Sequence, residues 1–136
     1  MAYIPKPPPR IKNRITKGND AFSQQRLECW FTDAFIKNPS CVQRRTEDGA
    51  PASVEIETSD GYTAWIHRNA NGRYTGVNVQ VAHIKDKSTN PELRWDVKNV
   101  APLTPANNQA MKYNLAIRET MQCLMRAWVI KNVRPL

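Results

Sequence analysis

The sequence predicts an α+β fold: a four-stranded antiparallel meander with an N-terminal helix and a long C-terminal helix, preceded by a basic proline-rich tail. Apolar residues recur at helical spacing near both ends of the chain. Alternating apolar and polar residues fill the middle, and asparagine, aspartate and glycine separate the alternating segments. We expect a single domain over residues 19–136 and a flexible arm over residues 1–18.

The arm is rich in proline, which occupies positions 5, 7, 8 and 9. Consecutive prolines exclude a helix there and favour an extended polyproline conformation. The whole chain has 20 Lys and Arg against 12 Asp and Glu, and the arm contains no acid. This concentration of charge favours an arm that lies on nucleic acid or on a neighbouring subunit over a disordered tail. Its cations are Lys6, Arg10, Lys12, Arg14 and Lys17.

The first helix is expected to begin at an Asn19-Asp20 cap and to end at about Lys37, because the following Asn38-Pro39 disfavours helix. Its apolar stripe consists of Leu27, Trp30, Phe31, Ala34 and Phe35. After a loop at 40–53, strands are predicted at about 54–58, 62–68, 73–84 and 93–98. The second and third strands are joined by a hairpin with the sequence Asn-Ala-Asn-Gly.

Two orientations remain open for the second strand, because Trp65 and Ile66 point to opposite faces. If Ile66 lies in the core, Trp65 is exposed and can stack on a base. If Trp65 lies in the core, Tyr62 and Arg68 are the exposed pair. On the fourth strand, Trp95 shares a face with apolar neighbours, so it is predicted to be buried.

A long C-terminal helix is expected from Thr104, the N-cap, and Pro105 to about Asn132. Its main apolar stripe consists of Ile117, Met121, Leu124, Met125 and Trp128. Further apolar residues widen the apolar arc beyond what one sheet face requires: Leu115, Cys123, Ala127 and Ile130. This excess predicts a homo-oligomer through the C-terminal helix, and packing on the chain's own sheet is the alternative.

The cysteines do not indicate a metal or redox site, because they are odd in number and no pair has CxxC spacing. We expect reduced thiols, with Cys29 and Cys123 in or near the core. Cys41 lies in the predicted loop and is expected to be the most reactive of the three.

No motif requires an enzyme, a metal or a cofactor. Glu55, Glu57 and Asp60 could hold Mg²⁺ in a nuclease. However, two glutamates on the solvent-exposed face of a strand are also common in sheets that bind no metal. His67 and His83 lie on different predicted strands, without ligand spacing. We therefore predict a protein that is not an enzyme, with no catalytic residue.

The predicted sheet interleaves basic and aromatic side chains, a combination typical of single-stranded nucleic-acid binding. Cations follow the phosphates while flat rings stack on unpaired bases. Outside the arm, the candidate contacts are Trp65, His67, Arg68, Arg73, Tyr74, Lys85, Lys87 and Arg94. We predict a non-enzymatic nucleic-acid-binding protein that favours single-stranded DNA with little sequence specificity. The alternative is a protein-interaction module, an inhibitor or adaptor of a host enzyme, that docks through the C-terminal helix.

The meander and long C-terminal helix, over residues 54–132, resemble the whirly and transcriptional-coactivator single-stranded-DNA-binding fold. That resemblance implies a sheet that presents the ligand surface and helices that pair subunits; the helix at 20–37 is not part of the family pattern. The compact, tryptophan-rich chain is also similar to small early proteins of bacteriophages. Because no apolar run could cross a bilayer and no signal-peptide core is present, we expect a cytoplasmic protein without membrane partners.

Overall fold

The computed structural model describes the backbone of residues 10–133 and the side chains of residues 17–133. Within that range the helices are α1 (Arg10–Lys37), α2 (Pro105–Ala110) and α3 (Leu115–Asn132). The strands are β1 (Val42–Arg45), β2 (Pro51–Glu57), β3 (Thr63–Arg68), β4 (Tyr74–Val77), β5 (Gln80–His83) and β6 (Val100–Leu103). Strands β1 to β4 form an antiparallel sheet in chain order, and β5 pairs with β6. The predicted α+β class, with an N-terminal helix, a four-stranded antiparallel sheet and a C-terminal helix, is confirmed.

Helix α1 ends where the sequence predicts but begins earlier. It begins at Arg10 and runs through Asn19 and Asp20, the residues expected to cap it. Both side chains have tertiary partners: Asn19 Oδ1 accepts a hydrogen bond from Trp95 Nε1 at 3.3 Å, and Asp20 pairs with Arg73 at 2.7 Å. Since these polar groups are satisfied elsewhere, nothing at this point ends the helix.

Strand β1 lies in a segment that the sequence predicts as a loop. Val42 pairs with Val54, and Arg45 pairs with Pro51 through an irregular register. Every residue of β1 after Val42 is exposed. The alternation by which a strand is recognised in sequence is therefore missing, because this edge strand has almost no buried side.

Strand β3 resolves the two orientations that the sequence leaves open. Ile66 is 0% exposed and packs with Val54 and Ala64 against α1. Trp65 and His67 therefore point away from the helices, on the outer face of the four-stranded sheet.

The predicted strand over 73–84 is interrupted by a turn. Asn78 has a φ of 60°, in the left-handed region. A Cβ on Gly76 would lie 2.5 Å from the carbonyl oxygen of Val79, so glycine permits the close approach of the two backbone segments. After this turn the chain leaves the first sheet, and β5 pairs with β6 instead.

The prediction of a fourth strand at 93–98 is wrong, because these residues lie in and between two short 3-10 turns, Pro91–Leu93 and Val97–Asn99. Asp96 accepts a hydrogen bond from the backbone N–H of Lys98 at 2.9 Å, a local contact that favours a turn over a strand. Trp95 is consequently 51% exposed, not buried as predicted.

Strand β6 follows these turns and is buried along its whole length. The carbonyl oxygen of Pro102 accepts hydrogen bonds from Ser59, at 2.8 Å from its backbone nitrogen and 2.6 Å from its hydroxyl. These bonds tie the small sheet to the β2–β3 turn. A proline is tolerated here because β6 pairs with a strand on one side only.

The predicted C-terminal helix is divided into α2 and α3 by a turn at residues 111–114. Thr104 and Pro105 occupy the predicted positions at the start of α2. Asn114 caps α3 by accepting a hydrogen bond from the N–H of Ile117 at 3.1 Å. Arg118 braces the turn, because its Nε donates to the carbonyl oxygen of Met111 at 2.7 Å.

The core has two parts, one between α1 and the four-stranded sheet and the other between α3 and the β5–β6 pair. Trp128 of α3 packs against both, and its ring meets Trp30 edge-on at 5.6 Å. Truncating a buried aromatic side chain typically costs about 3–5 kcal/mol. This contact is therefore a main connection between the two halves.

We expect Asp60→Ala to lower the free energy of unfolding by about 1–2 kcal/mol. Its carboxylate accepts hydrogen bonds from Thr104 Oγ1 at 2.5 Å and from Asn107 Nδ2 at 2.7 Å, and the Thr104 hydroxyl would be left buried without a partner. Urea denaturation measures the change. Asp33→Ala, at an exposed position of α1, is the matched control, and equal losses in both variants would contradict the structural role of Asp60.

Candidate nucleic-acid interface

The arm lies largely outside the described side chains. Residues 1–9, with Lys6, are outside the described part of the chain. The backbone of Arg10, Lys12 and Arg14 is helical, since α1 begins at Arg10, and their side chains are not among those described. Lys17 is exposed on α1.

The basic and aromatic residues predicted around the second hairpin do not form one surface. Trp65 and His67 lie on the outer sheet face, whereas Tyr74 lies on the side of α1, where its ring meets Phe31 edge-on at 5.3 Å. Burial raises the pKa of the Tyr74 hydroxyl. Arg73 is engaged by Asp20 through two hydrogen bonds, at 2.7 and 3.2 Å.

Arg68 pairs across the hairpin with Tyr74 and is exposed, on the same face of the sheet as that tyrosine. It is therefore separated from Trp65, which lies on the opposite face.

The outer sheet face combines Trp65 with carboxylates. Glu55 lies directly opposite Trp65 in the β2–β3 register, and Glu57 lies opposite Thr63. Both glutamates are exposed, so a phosphate backbone beside Trp65 would meet like charge. This face is consequently a poorer surface for a polyanion than the sequence predicts.

A groove of about 540 Å³ lies between β5, the segment after it, α2 and α3. Four cations line it: Lys85, Lys87, Lys112 and Arg118. Asp86 is the one carboxylate among the lining residues, and hydrogen bonds from the backbone and hydroxyl of Ser88 hold the pKa of that carboxyl below its usual value. We call this site the basic groove. Its charge favours phosphate or another anion.

The 85–99 loop, which forms one wall of the basic groove, is held by buried Asn99. The side-chain oxygen of Asn99 accepts from the N–H of Lys85 at 2.9 Å, and its nitrogen donates to the carbonyl oxygens of Lys85 and Leu93 at 3.1 and 3.3 Å. These three bonds fix both ends of the loop, so the lysines are presented by an anchored backbone.

His83 supports the same loop from β5. Its Nε2 lies 2.7 Å from the carbonyl oxygen of Arg94, so this nitrogen carries the proton and donates. The contribution of Arg94 to this region is therefore its backbone carbonyl group, which accepts the hydrogen bond from His83, and its side chain is half-buried.

Lys112 and Arg118 are the groove residues that sequence reasoning missed. They face the groove because the chain turns between α2 and α3, where one continuous helix was expected. Asn114, a good N-cap residue inside the expected helix, is the signal that could have indicated the turn.

Trp95 supplies an aromatic ring from the same 85–99 loop. Its six-membered ring lies over Gly18 of α1, where a Cβ would come within 2.6 Å of it, and its other surface is exposed. Exposed Lys17 is the neighbour of Gly18 in α1. The packing of Trp95 on Gly18 is thus a contact between the 85–99 loop and α1 that the sequence does not reveal.

A second cleft, of about 490 Å³, lies between α1, β2 and α3. Its floor includes Trp30 and Trp128, and its charged lining residues are Asp33, Glu55, Glu57, Lys37 and Lys131. Because the side chains of Glu55 and Glu57 point to the outer sheet face, the cleft brings together two cations, Lys37 and Lys131, against the four that line the basic groove.

The cysteines differ from prediction in their exposure. Cys123 is exposed, whereas Cys41 is buried. Burial raises the pKa of the Cys41 thiol, which lowers its thiolate fraction, so it is not the most reactive candidate. Cys29 is partly buried, as expected.

No group of three or more His, Cys, Asp or Glu side chains within the described residues is placed to hold a metal ion. Nor does any helix in this part of the chain have the length and apolar character needed to cross a membrane.

The fold and groove together define a small basic α+β protein with an anion-attracting groove beside its two-stranded sheet. No protein-family model, curated protein or solved structure matches this chain. The resemblance to the whirly and coactivator fold and to bacteriophage early proteins therefore stays a prediction.

We expect the His83 ring to titrate below its ordinary value, because burial lowers its pKa despite the hydrogen bond to Arg94. In the unfolded chain the ring binds a proton near pH 6.5, so the stability of the fold should fall as the pH drops below that value. A pH titration followed by NMR measures the ring directly. His83→Gln should flatten the pH dependence of unfolding, and a ring pKa above 6.5 would contradict the assignment.

Proposed function

We propose that this protein is a non-enzymatic, cytoplasmic nucleic-acid-binding protein that favours single-stranded DNA with little sequence specificity. The convergence of Lys85, Lys87, Lys112 and Arg118 on one groove, with one carboxylate among its lining residues, carries the proposal. The four cations come from two separate segments of the chain and meet around one cavity. Their combined field favours a phosphate backbone over a neutral ligand.

A preference for single strands is supported by an exposed aromatic ring on the loop that also carries two of the groove cations. Trp95 is half-exposed and comes from the same loop as two groove lysines. Unpaired bases can stack on such a ring, whereas the bases of a duplex are already stacked on each other.

A protein-interaction module that docks through the C-terminal helix is the second candidate. The observation that favours it is the exposure of Leu124 and Ile130 on α3. An absence of nucleic-acid binding at low salt would favour this candidate over the first.

We expect the triple variant Lys85→Ala, Lys87→Ala, Lys112→Ala to bind single-stranded DNA at least roughly tenfold more weakly at low salt, and to reduce the slope of log affinity against log salt by about 2. Arg118 is left intact because it braces the α2–α3 turn. Fluorescence anisotropy of a labelled oligonucleotide, measured across a salt series, gives both quantities.

The matched control is Arg44→Ala, Arg45→Ala, Arg68→Ala, which removes the same charge from exposed positions of β1 and β3. We expect its loss of affinity to be much smaller. If the control loses as much affinity as the groove variant, binding depends on net charge alone. If only the control loses affinity, the binding site lies at the arginines of β1 and β3 and not in the basic groove.

Trp95→Ala should weaken binding of single strands by about 1–3 kcal/mol, the usual contribution of one stacked base, and should leave duplex binding almost unchanged. Trp95→Phe keeps a ring and should retain much of the affinity. Equal effects on single-stranded and duplex DNA would show that Trp95 acts only by anchoring the 85–99 loop on α1.

A further inference from the structure

Helix α3 has one face in the core and one face in solvent. Met121, Met125 and Val129 are buried against the β5–β6 pair. The opposite face carries a stripe of exposed residues at alternating spacings of four and three: Ala116, Thr120, Cys123, Ala127 and Ile130. We call this stripe the outward α3 face. Ile130 is 83% exposed, although it is among the most apolar side chains. The spacing is that of a coiled-coil seam.

Charges of opposite sign border this face. Glu119 and Arg126 are exposed, seven residues apart on the same edge of the stripe, and neither forms an ion pair among the described residues. In heptad terms both occupy the same flanking position. Two antiparallel copies of the helix would place Glu119 of each copy against Arg126 of the other, which gives two ion pairs related by a two-fold axis.

Parallel pairing is disfavoured by the same residues. It would place Arg126 beside Lys131 of the second copy, which lies at the other flanking position one turn later, so like charges would meet. The charge pattern therefore selects one orientation.

Antiparallel pairing also covers the apolar ends of the helix. Tyr113, in the turn before α3, is 80% exposed, and Ile130 lies near the C-terminal end of the helix. An antiparallel arrangement brings these opposite ends together, so that each copy covers apolar surface of the other.

We propose that the outward α3 face binds a second copy of this chain in an antiparallel, two-fold symmetric pair, with two Glu119–Arg126 ion pairs along one flank of a seam through Cys123, one on either side of the two-fold axis. This pairing extends the proposed function by specifying how the expected homo-oligomer forms. Its tests use no nucleic acid, so either proposal can fail while the other stands.

Sedimentation velocity of the full chain over micromolar to near-millimolar concentrations tests the pairing. We expect a reversible dimer that Glu119→Arg weakens roughly tenfold, because two attractive pairs become two repulsive ones. The charge-swapped variant Glu119→Arg, Arg126→Glu restores the attraction and should dimerise about as well as the original. Failure of the swap to restore the dimer would overturn the antiparallel geometry.

Ala127→Glu places a charge in the middle of the seam and should abolish the dimer. Ala21→Glu, the same change at an exposed position of α1, is the control and should leave it intact. Circular dichroism and melting curves of each variant establish that it is folded. A chain that stays monomeric over the whole concentration range would overturn the proposal and leave this face to a different protein or to solvent.

Chemical cross-linking gives an independent check. The two Cys123 side chains lie near the two-fold axis of the proposed pair, so a short bismaleimide should join two chains covalently. Cys123→Ser should lose the cross-link, since Cys41 is buried and Cys29 partly so. Cross-linking that persists in Cys123→Ser would contradict the seam.

Discussion

The turn between β4 and β5 is the constraint on which the rest of the structure depends. Asn78 takes a left-handed conformation, and Gly76 lets the chain fold back to within contact of Val79. A straight continuation would have produced one long strand and one core. Because the chain turns here, residues 80–103 leave the first sheet and build a second, with its own apolar cluster under α3. The basic groove lies beside this second sheet, so it exists only because the strand is broken.

Because the core is divided into two clusters, the two halves of the structure must be held together by contacts between them, and two tryptophans provide such contacts. Trp128 packs into both clusters and meets Trp30 across them. At the other side, Trp95 rests on Gly18 and bonds to Asn19, which links the 85–99 loop to α1. The loop that carries the groove lysines is thereby braced against a helix of the other half. An anchored loop loses little conformational entropy when a ligand binds, which favours affinity.

The sequence predicts what depends on local periodicity. The stripe of α1, the hairpin before β4 and the start of α2 all follow from spacing, turn residues or caps close in sequence. What it could not predict depends on distant partners. Asn19 and Asp20 resemble a helix cap in sequence, but in the fold their side chains bond to Trp95 and Arg73. Residues 93–98 alternate like a strand, but hydrogen bonds from Asp96 and Asn99 hold them in turns. The groove shows the same limit, because Lys112 and Arg118 join Lys85 and Lys87 only through the turn that ends α2.

The groove and the outward α3 face share one helix, and this has a consequence for binding. Arg118, in the first turn of α3, belongs to the groove, while the proposed seam runs along the other side of the same helix towards Ile130. Each groove lies near the N-terminal end of its own α3. An antiparallel pair would therefore place the two grooves towards opposite ends of the seam. A single strand long enough to reach both would bind the second groove as an intramolecular step, at a high effective concentration. Modest affinity in each groove would then suffice for tight binding to long strands. Short strands would gain nothing from the pairing, because they occupy one groove at a time.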